Sequence, residues 1–218
     1  MDRKFRKQSI PLQSVTDIDR LSYVGDRAIG ALSFESKTKK TEISEDSLKF
    51  SDLPFLNKSA HDFYEEKSTE VLNSLNNISS SGGSRPKGNL FFSKNLDRCS
   101  ENYQDNYEAW IVKFKTSSTL LSSEEGVCEY IYSLMSRNAG ISTANSHLFE
   151  FSDHSRLFSS KRFDRDGLRR IFSASIFGLT GADWRVPSLD YEPIIRLCSS
   201  LTKSRAQTQE VFRRMIFN

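Results

Sequence analysis

The residues Trp110-Ile111-Val112-Lys113-Phe114 constrain this chain most, because their alternation suits a strand and little else. Side chains along a strand point to opposite faces in turn, so Trp110, Val112 and Phe114 share one apolar face. Lys113 projects from the other, beside Ile111 and Lys115. One side of the strand is committed to a core while the other holds a cation. Upstream lies a Ser/Gly run closed by basic residues, Ser79-Ser80-Ser81-Gly82-Gly83-Ser84-Arg85-Pro86-Lys87. Downstream lies Lys161-Arg162-Phe163-Asp164-Arg165.

With 218 residues, 37% of them hydrophobic and 16 of them Phe, the chain can bury one sizeable core or two small ones, which excludes wholesale disorder. No apolar run approaches the roughly 18 residues of a membrane span, and the basic start leads into polar sequence rather than a signal peptide. A cytoplasmic location without a membrane partner is expected. Cys99, Cys128 and Cys198 are odd in number and widely spaced, so reduced thiols are expected rather than a disulfide framework or a zinc site. His61, His147 and His154 show no metal-ligand spacing, and no metal-binding residue is assigned. A net charge of +3 is too small to indicate direct binding of nucleic acid.

Along the chain, Val15, Ile18, Leu21 and Val24 are spaced as one face of a short helix stopped by Gly25. Residues 28–34 then read as a strand, and residues 35–49 as a polar connection. Phe63, Val71, Leu72 and Leu75 predict a helix over residues 59–75 that delivers the chain into the Ser/Gly run. Strands are predicted at 89–93 and 109–115. Ser122-Ser123-Glu124-Glu125 reads as a capping box opening a helix with Val127, Ile131, Leu134 and Met135 on one stripe, closed by Gly140. Alternation around His147, Phe149 and Phe151 and over residues 156–163 predicts a hairpin, with a turn at 164–167. Two apolar helical faces follow, Tyr191, Ile194, Ile195 and Cys198, then Val211, Phe212, Met215 and Ile216. The last reads as a helix whose apolar final turn has no following cap or packing partner, and an exposed patch that lowers solubility is expected.

The chemistry of these motifs has two readings each. A Ser/Gly loop can present successive backbone N–H groups to an anion, with Arg85 and Lys87 adding charge, or it can be a flexible linker. Lys113 can meet phosphates while a helix carboxylate, for which Glu129 is the natural candidate, orients it. It can equally be a snorkelling strand lysine, with Glu129 simply facing solvent. Residues 161–165 can end a strand in a salt-bridged Arg-Asp-Arg.

In this order the motifs resemble the HipA family of toxin Ser/Thr kinases. Residues 21–32 are similar to the end of that family's N-terminal subdomain, Gly82-Gly83-Ser84-Arg85-Pro86-Lys87 to its phosphate loop, residues 110–114 to the strand of its ATP lysine, and Glu129-Tyr130-Ile131-Tyr132-Ser133-Leu134-Met135 to the helix that follows. Residues 161–165 resemble its hinge, whose backbone meets adenine, with Lys161 where the family has Glu. The resemblance implies an ATP-binding set of Gly82, Gly83, Ser84, Arg85, Lys87, Lys113, Lys161, Arg162 and Phe163, with Glu129 orienting Lys113. It also implies autophosphorylation at Ser80 and Ser81 and no catalytic residue within the chain. The family's Asn-x-Asp-Asp-His-x-x-Asn loop and its Mg²⁺-binding Asp have no counterpart here.

The fold class expected is α+β, a kinase-like N-lobe with an antiparallel sheet and helices. Residues 1–50 would form part of an N-terminal subdomain with a linker, residues 51–165 the N-lobe, and residues 166–218 the first helices of an incomplete C-lobe. The resemblance implies transfer of the γ-phosphoryl of ATP to a protein serine, such as one on an aminoacyl-tRNA synthetase, and a DNA-binding antitoxin partner. Without the carboxylates that hold Mg²⁺ and orient the nucleophile, the chain is expected to be a truncated member, inactive alone and holding ATP weakly at most. The alternative is a non-catalytic module that binds an antitoxin or a separately encoded complementary kinase fragment.

Overall fold

The computed structural model describes residues 5–6, 9–35, 48–64, 86–115, 124–183, 186 and 188–218. The chain divides into two compact units, residues 1–130 with 144–172, and residues 131–143 with 173–218. The Ser/Gly run from Ser79 to Arg85, including Ser80, Ser81, Gly82, Gly83 and Ser84, lies outside the described residues, as does most of the polar connection.

The first unit opens with α1 (Asp17–Val24), whose Thr16 and Asp19 form a reciprocal capping box. Gly25 ends it at a φ of 58°. The predicted face is largely open, since Ile18 is 73% exposed and only Val24 is buried. Residues 28–34 form no strand. Their backbone groups are taken up by arginine and aspartate side chains from residues 162–170, which replaces ladder pairing with side-chain bonds.

Next comes α2 (Leu53–Tyr64), which starts six residues before the helix that the sequence predicts. Its anchors Leu53, Leu56 and Ala60 are 0%, 2% and 2% exposed. Ala60 is too small to register in an apolar periodicity, and Pro54 sits in the first turn, where its missing N–H leaves no helical bond unmade. The remainder of the predicted helix, beyond Tyr64, falls outside the described residues.

The sheet consists of β1 (Lys87–Ser93), β2 (Cys99–Ser100), β3 (Tyr107–Lys113), β4 (Ser146–Glu150) and β5 (Arg156–Lys161), in the order β2-β1-β3-β5-β4. All its pairings are antiparallel. One face carries Leu90, Phe92, Trp110, Val112, Phe149 and Leu157 and closes against the α2 anchors. Phe92 stacks on Phe149 at 5.0 Å and meets Trp110 edge-on at 6.3 Å. Cys99 lies in this core, where burial pushes its thiol up to about 12. The predicted alternation of Trp110, Val112 and Phe114 against Lys113 is the one observed.

Between β3 and β4, α3 (Glu125–Asn138) runs from the first unit into the second. Its end follows the predicted stop. Gly140, at a φ of 73°, lets the Ile141 N–H reach Ser136 O at 3.0 Å and the Gly140 N–H reach Arg137 O at 2.9 Å, a Schellman closure. After β5 a short ladder of β6 (Arg165–Asp166) and β7 (Arg169–Arg170) turns at Gly167.

The second unit contains α4 (Ile176–Thr180), α5 (Tyr191–Thr202) and α6 (Arg205–Phe217). Lys203, in the left-handed region, and Ser204, whose hydroxyl accepts the Gln207 N–H, join α5 to α6 as a helical hairpin. Glu210 accepts the Ser142 N–H at 2.9 Å, and Arg214 donates to the Ser142 carbonyl. Phe212 and Ile216 are 50% and 69% exposed.

Candidate functional site

The sheet face opposite the aromatic core carries the cationic chemistry. Lys87 and Lys113 stand directly opposite one another in the β1–β3 register, so both ammonium groups leave the same face. Lys113 Nζ lies 2.5 Å from Glu129 Oε1 on α3 and 5.5 Å from the centre of the Phe158 ring. The Lys87 pKa is lowered, first by burial and then by the charge of Lys113, with Glu129 opposing both. Like charges facing each other across two strands destabilise the pair, and one carboxylate between two lysines leaves a net positive cradle. Such a cradle fits an anion with several oxygens.

The Lys113–Glu129 pair is too exposed to be a stability device. Its side chains are 38% and 23% accessible, and pairs of this kind contribute about 0–1 kcal/mol. Its effect is positional: Glu129 holds the ammonium at one place on the face. A cavity of about 110 Å³ opens beside the pair and is bordered by Asn57, Gly126, His154 and Arg156. Asn57 fixes the end of this region from α2, accepting the Lys115 N–H at 2.8 Å.

Gly126 sets the distance between α3 and the sheet, a role that sequence reasoning missed. A Cβ there would lie 3.3 Å from the Phe158 N and 3.5 Å from its Cβ. A helix that close to β5 places Glu129, one turn further on, over β3. Gly126→Val is therefore expected to lift the start of α3, destabilise the fold by about 1–3 kcal/mol and break the Lys113–Glu129 contact. Thermal melting would read the first effect, and the loss of any dependence of anion affinity on Glu129 the second.

Residues 161–165 are divided by the structure. Arg162 N–H donates to Ala109 O at 2.8 Å and continues the β3–β5 pairing by one residue. Lys161 faces Trp110 in the register, on the core side of the sheet away from Lys113, and its Nζ lies 2.6 Å from Glu108. The Arg162 side chain is buried against Asp164. Phe163, between these two buried residues, is 70% exposed. Lys87, Lys113 and Glu129 are thus brought together, whereas the side chains of Lys161 and Arg162 are engaged elsewhere and, of residues 161–165, Phe163 is the exposed one.

Asp164 is the centre of a second cluster. Its Oδ1 accepts Arg162 Nε at 2.9 Å, and its Oδ2 accepts Arg162 Nη2 at 2.7 Å, Arg165 Nη1 at 2.8 Å and the Gly30 N–H at 2.8 Å. Burial alone would raise the Asp164 pKa, but the Arg162 and Gly30 bonds and the two guanidinium charges hold it below its ordinary value. The salt-bridged Arg-Asp-Arg reading of this motif is the one the side chains adopt. Its partner in residues 28–30 could not be read from spacing, since the two segments lie some 130 residues apart in sequence. Among the described residues no three His, Cys, Asp or Glu side chains gather as a group able to hold a metal ion.

Residues 79–218 match the family model described as the HipA-like C-terminal domain. No curated protein matches the chain in sequence. A solved structure from Shewanella oneidensis MR-1, HipA of a toxin-antitoxin system in complex with HipB and its operator DNA, is similar with a TM-score of 0.60 and 16% identity. The similarity covers 99% of this chain and 53% of that one, so the chain spans about half the length of that HipA, and the likeness concerns the fold. With the family model covering well over half of its residues, this chain belongs to the family of the HipA-like C-terminal domain.

Proposed function

We propose that this chain forms the nucleotide-holding side of a HipA-like Ser/Thr protein kinase of a toxin-antitoxin system, with ATP as the nucleotide and a DNA-binding antitoxin as partner. The observation that carries the reading is the meeting of Lys113 with Glu129 across β3 and α3, with Lys87 in register beside them. A bound ATP would supply a γ-phosphoryl for transfer to a protein serine, and that transfer is proposed for the whole family protein. The residues of this chain do the holding. Lys113 and Lys87 neutralise phosphate oxygens, Glu129 keeps the Lys113 ammonium in place, and the turn from Arg162 to Arg165 offers the exposed Phe163, ring and backbone, to a base.

Isothermal titration of ATP into the 218-residue chain, with and without Mg²⁺, tests this. Binding is expected, with Lys113→Ala weakening it by about 10- to 100-fold, as for loss of a charged hydrogen bond worth about 1.5–3 kcal/mol. Glu129→Gln should weaken it less, because the lysine remains but is no longer oriented. Absence of heat from the wild-type chain in both conditions, or a Lys113→Ala variant that binds as the wild type does, would overturn the proposal.

A further inference from the structure

The charged cluster around Asp164 has no place in holding phosphates, yet it is the most buried ionic group described, with Arg162, Asp164 and Arg165 side chains 5%, 3% and 9% accessible. Its bonds run to a different part of the chain. Ala28 O accepts Arg162 Nη2 at 3.1 Å and Arg165 Nη2 at 2.8 Å. Gly30 uses both backbone groups, its N–H on Asp164 Oδ2 and its carbonyl accepting Arg165 Nη1 at 2.9 Å. Leu32 O accepts Arg170 Nη1 at 3.2 Å. Residues 28, 30 and 32 therefore present backbone groups at every second position, as a strand edge would, and guanidinium and carboxylate groups take the place of a neighbouring strand. The segment itself is closed by the Phe34 N–H on Gly25 O at 3.1 Å.

On the other side of the cluster, the same residues shape the turn after β5. Arg162 N–H is bonded to Ala109 O, and Asp164 O accepts the Ile171 N–H at 3.0 Å. Arg162 and Asp164 point inward, so Phe163 between them is held outward. Beyond those two backbone bonds, the turn is held by the acceptors of its two arginines, and three of those acceptor contacts belong to residues 28–30.

We infer that residues 28–32 act as a strap whose docking, read by Arg162, Asp164, Arg165 and Arg170, positions the backbone of residues 162–165 for the nucleotide. This rests on the nucleotide reading proposed above. Arg165 is a positioning residue: its planar fork reaches three carbonyls, of Ala28, Gly30 and Asp164, and the Asp164 carboxylate at once, which the point charge of a lysine cannot do. Displacing the strap would loosen the turn and weaken nucleotide holding without touching Lys113 or Glu129.

The test uses the full 218-residue chain with Arg165→Lys, which keeps the charge. Hydrogen–deuterium exchange at the amides of residues 28–34 and 162–165 is expected to quicken by about tenfold, as for loss of a few hydrogen bonds, while the β3 amides stay protected. ATP affinity measured by titration should fall several-fold. Arg170→Ala, which removes the surface bond to Leu32 together with a positive charge near Arg165, should fold in any case and give both changes to a smaller degree. It decides the matter if Arg165→Lys does not fold. Unchanged exchange at residues 28–34 overturns the strap. Faster exchange with unaltered ATP affinity overturns the positioning role and leaves the nucleotide reading standing. If the wild-type chain binds no ATP, the nucleotide reading fails and positioning fails with it, while the exchange data still report separately whether the strap exists.

Discussion

Replacing Asp164 with alanine is expected to lower the unfolding free energy by about 3–5 kcal/mol, because it leaves two buried guanidinium groups without their shared counter-charge. Both Asp164 oxygens are occupied and the carboxylate is 3% accessible, so no water route relieves the loss. Urea denaturation followed by circular dichroism would measure it, with the midpoint moving far down and the slope unchanged. The pH dependence has a definite sign. The folded pKa of Asp164 is lowered from the ordinary 3.8, so its contribution is complete above the unfolded value and is lost as pH falls through the lower folded one. The gap between wild type and variant should therefore be constant from neutral pH to about pH 5 and narrow only in acid below about pH 4. A gap that widened in acid, or a variant of wild-type stability at pH 7, would contradict the cluster as described.

Phe92→Ala is expected to cost a similar amount, about 3–5 kcal/mol, through a different mechanism. Phe92 is fully buried on β1, stacked on Phe149 and edge-on to Trp110 and Phe50. Truncation removes its apolar transfer energy and leaves a hole among rings whose strands cannot collapse around it. The consequence extends to the site, since β1 also carries Lys87 and pairs with the strand of Lys113. A calorimetric scan should show a lowered melting temperature, and ATP stabilisation of the variant should be reduced along with it. Retention of the wild-type melting temperature would mean that the aromatic layer is not what holds the two lysine strands together.

Local pattern was enough to read much of this fold. The two-residue alternation around Lys113 gave the strand, its core face and the direction of the lysine, because side-chain direction in a strand is set by the backbone pleat alone. The helix closed by Gly140 was legible for a comparable reason, since glycine there takes a left-handed conformation that other residues resist. Elsewhere local pattern misled. Residues 28–34 read as a strand, a short and largely apolar run after the stop at Gly25, but such a run does not say whether the partner is another strand or a row of arginine side chains. The helix of Leu53 and Ala60 was placed too late because a small residue buried by close approach carries no hydrophobic signal. Glu129 could be named as the partner of Lys113 from its place on a helix, but whether it met the lysine depended on Gly126 letting that helix down onto β5.

By itself the order of residues determined which side chains are apolar, where the backbone can bend, and that Lys113 would project from the strand face opposite its apolar one; these are properties of each residue and its immediate neighbours. Only the tertiary structure decided that Lys87 would face Lys113, that Glu129 would sit between helix and sheet, and that Asp164 would hold a segment more than a hundred residues away. Those pairings arise from packing two distant stretches against one core, and electrostatic contacts acquire their geometry only once that packing has fixed the distances.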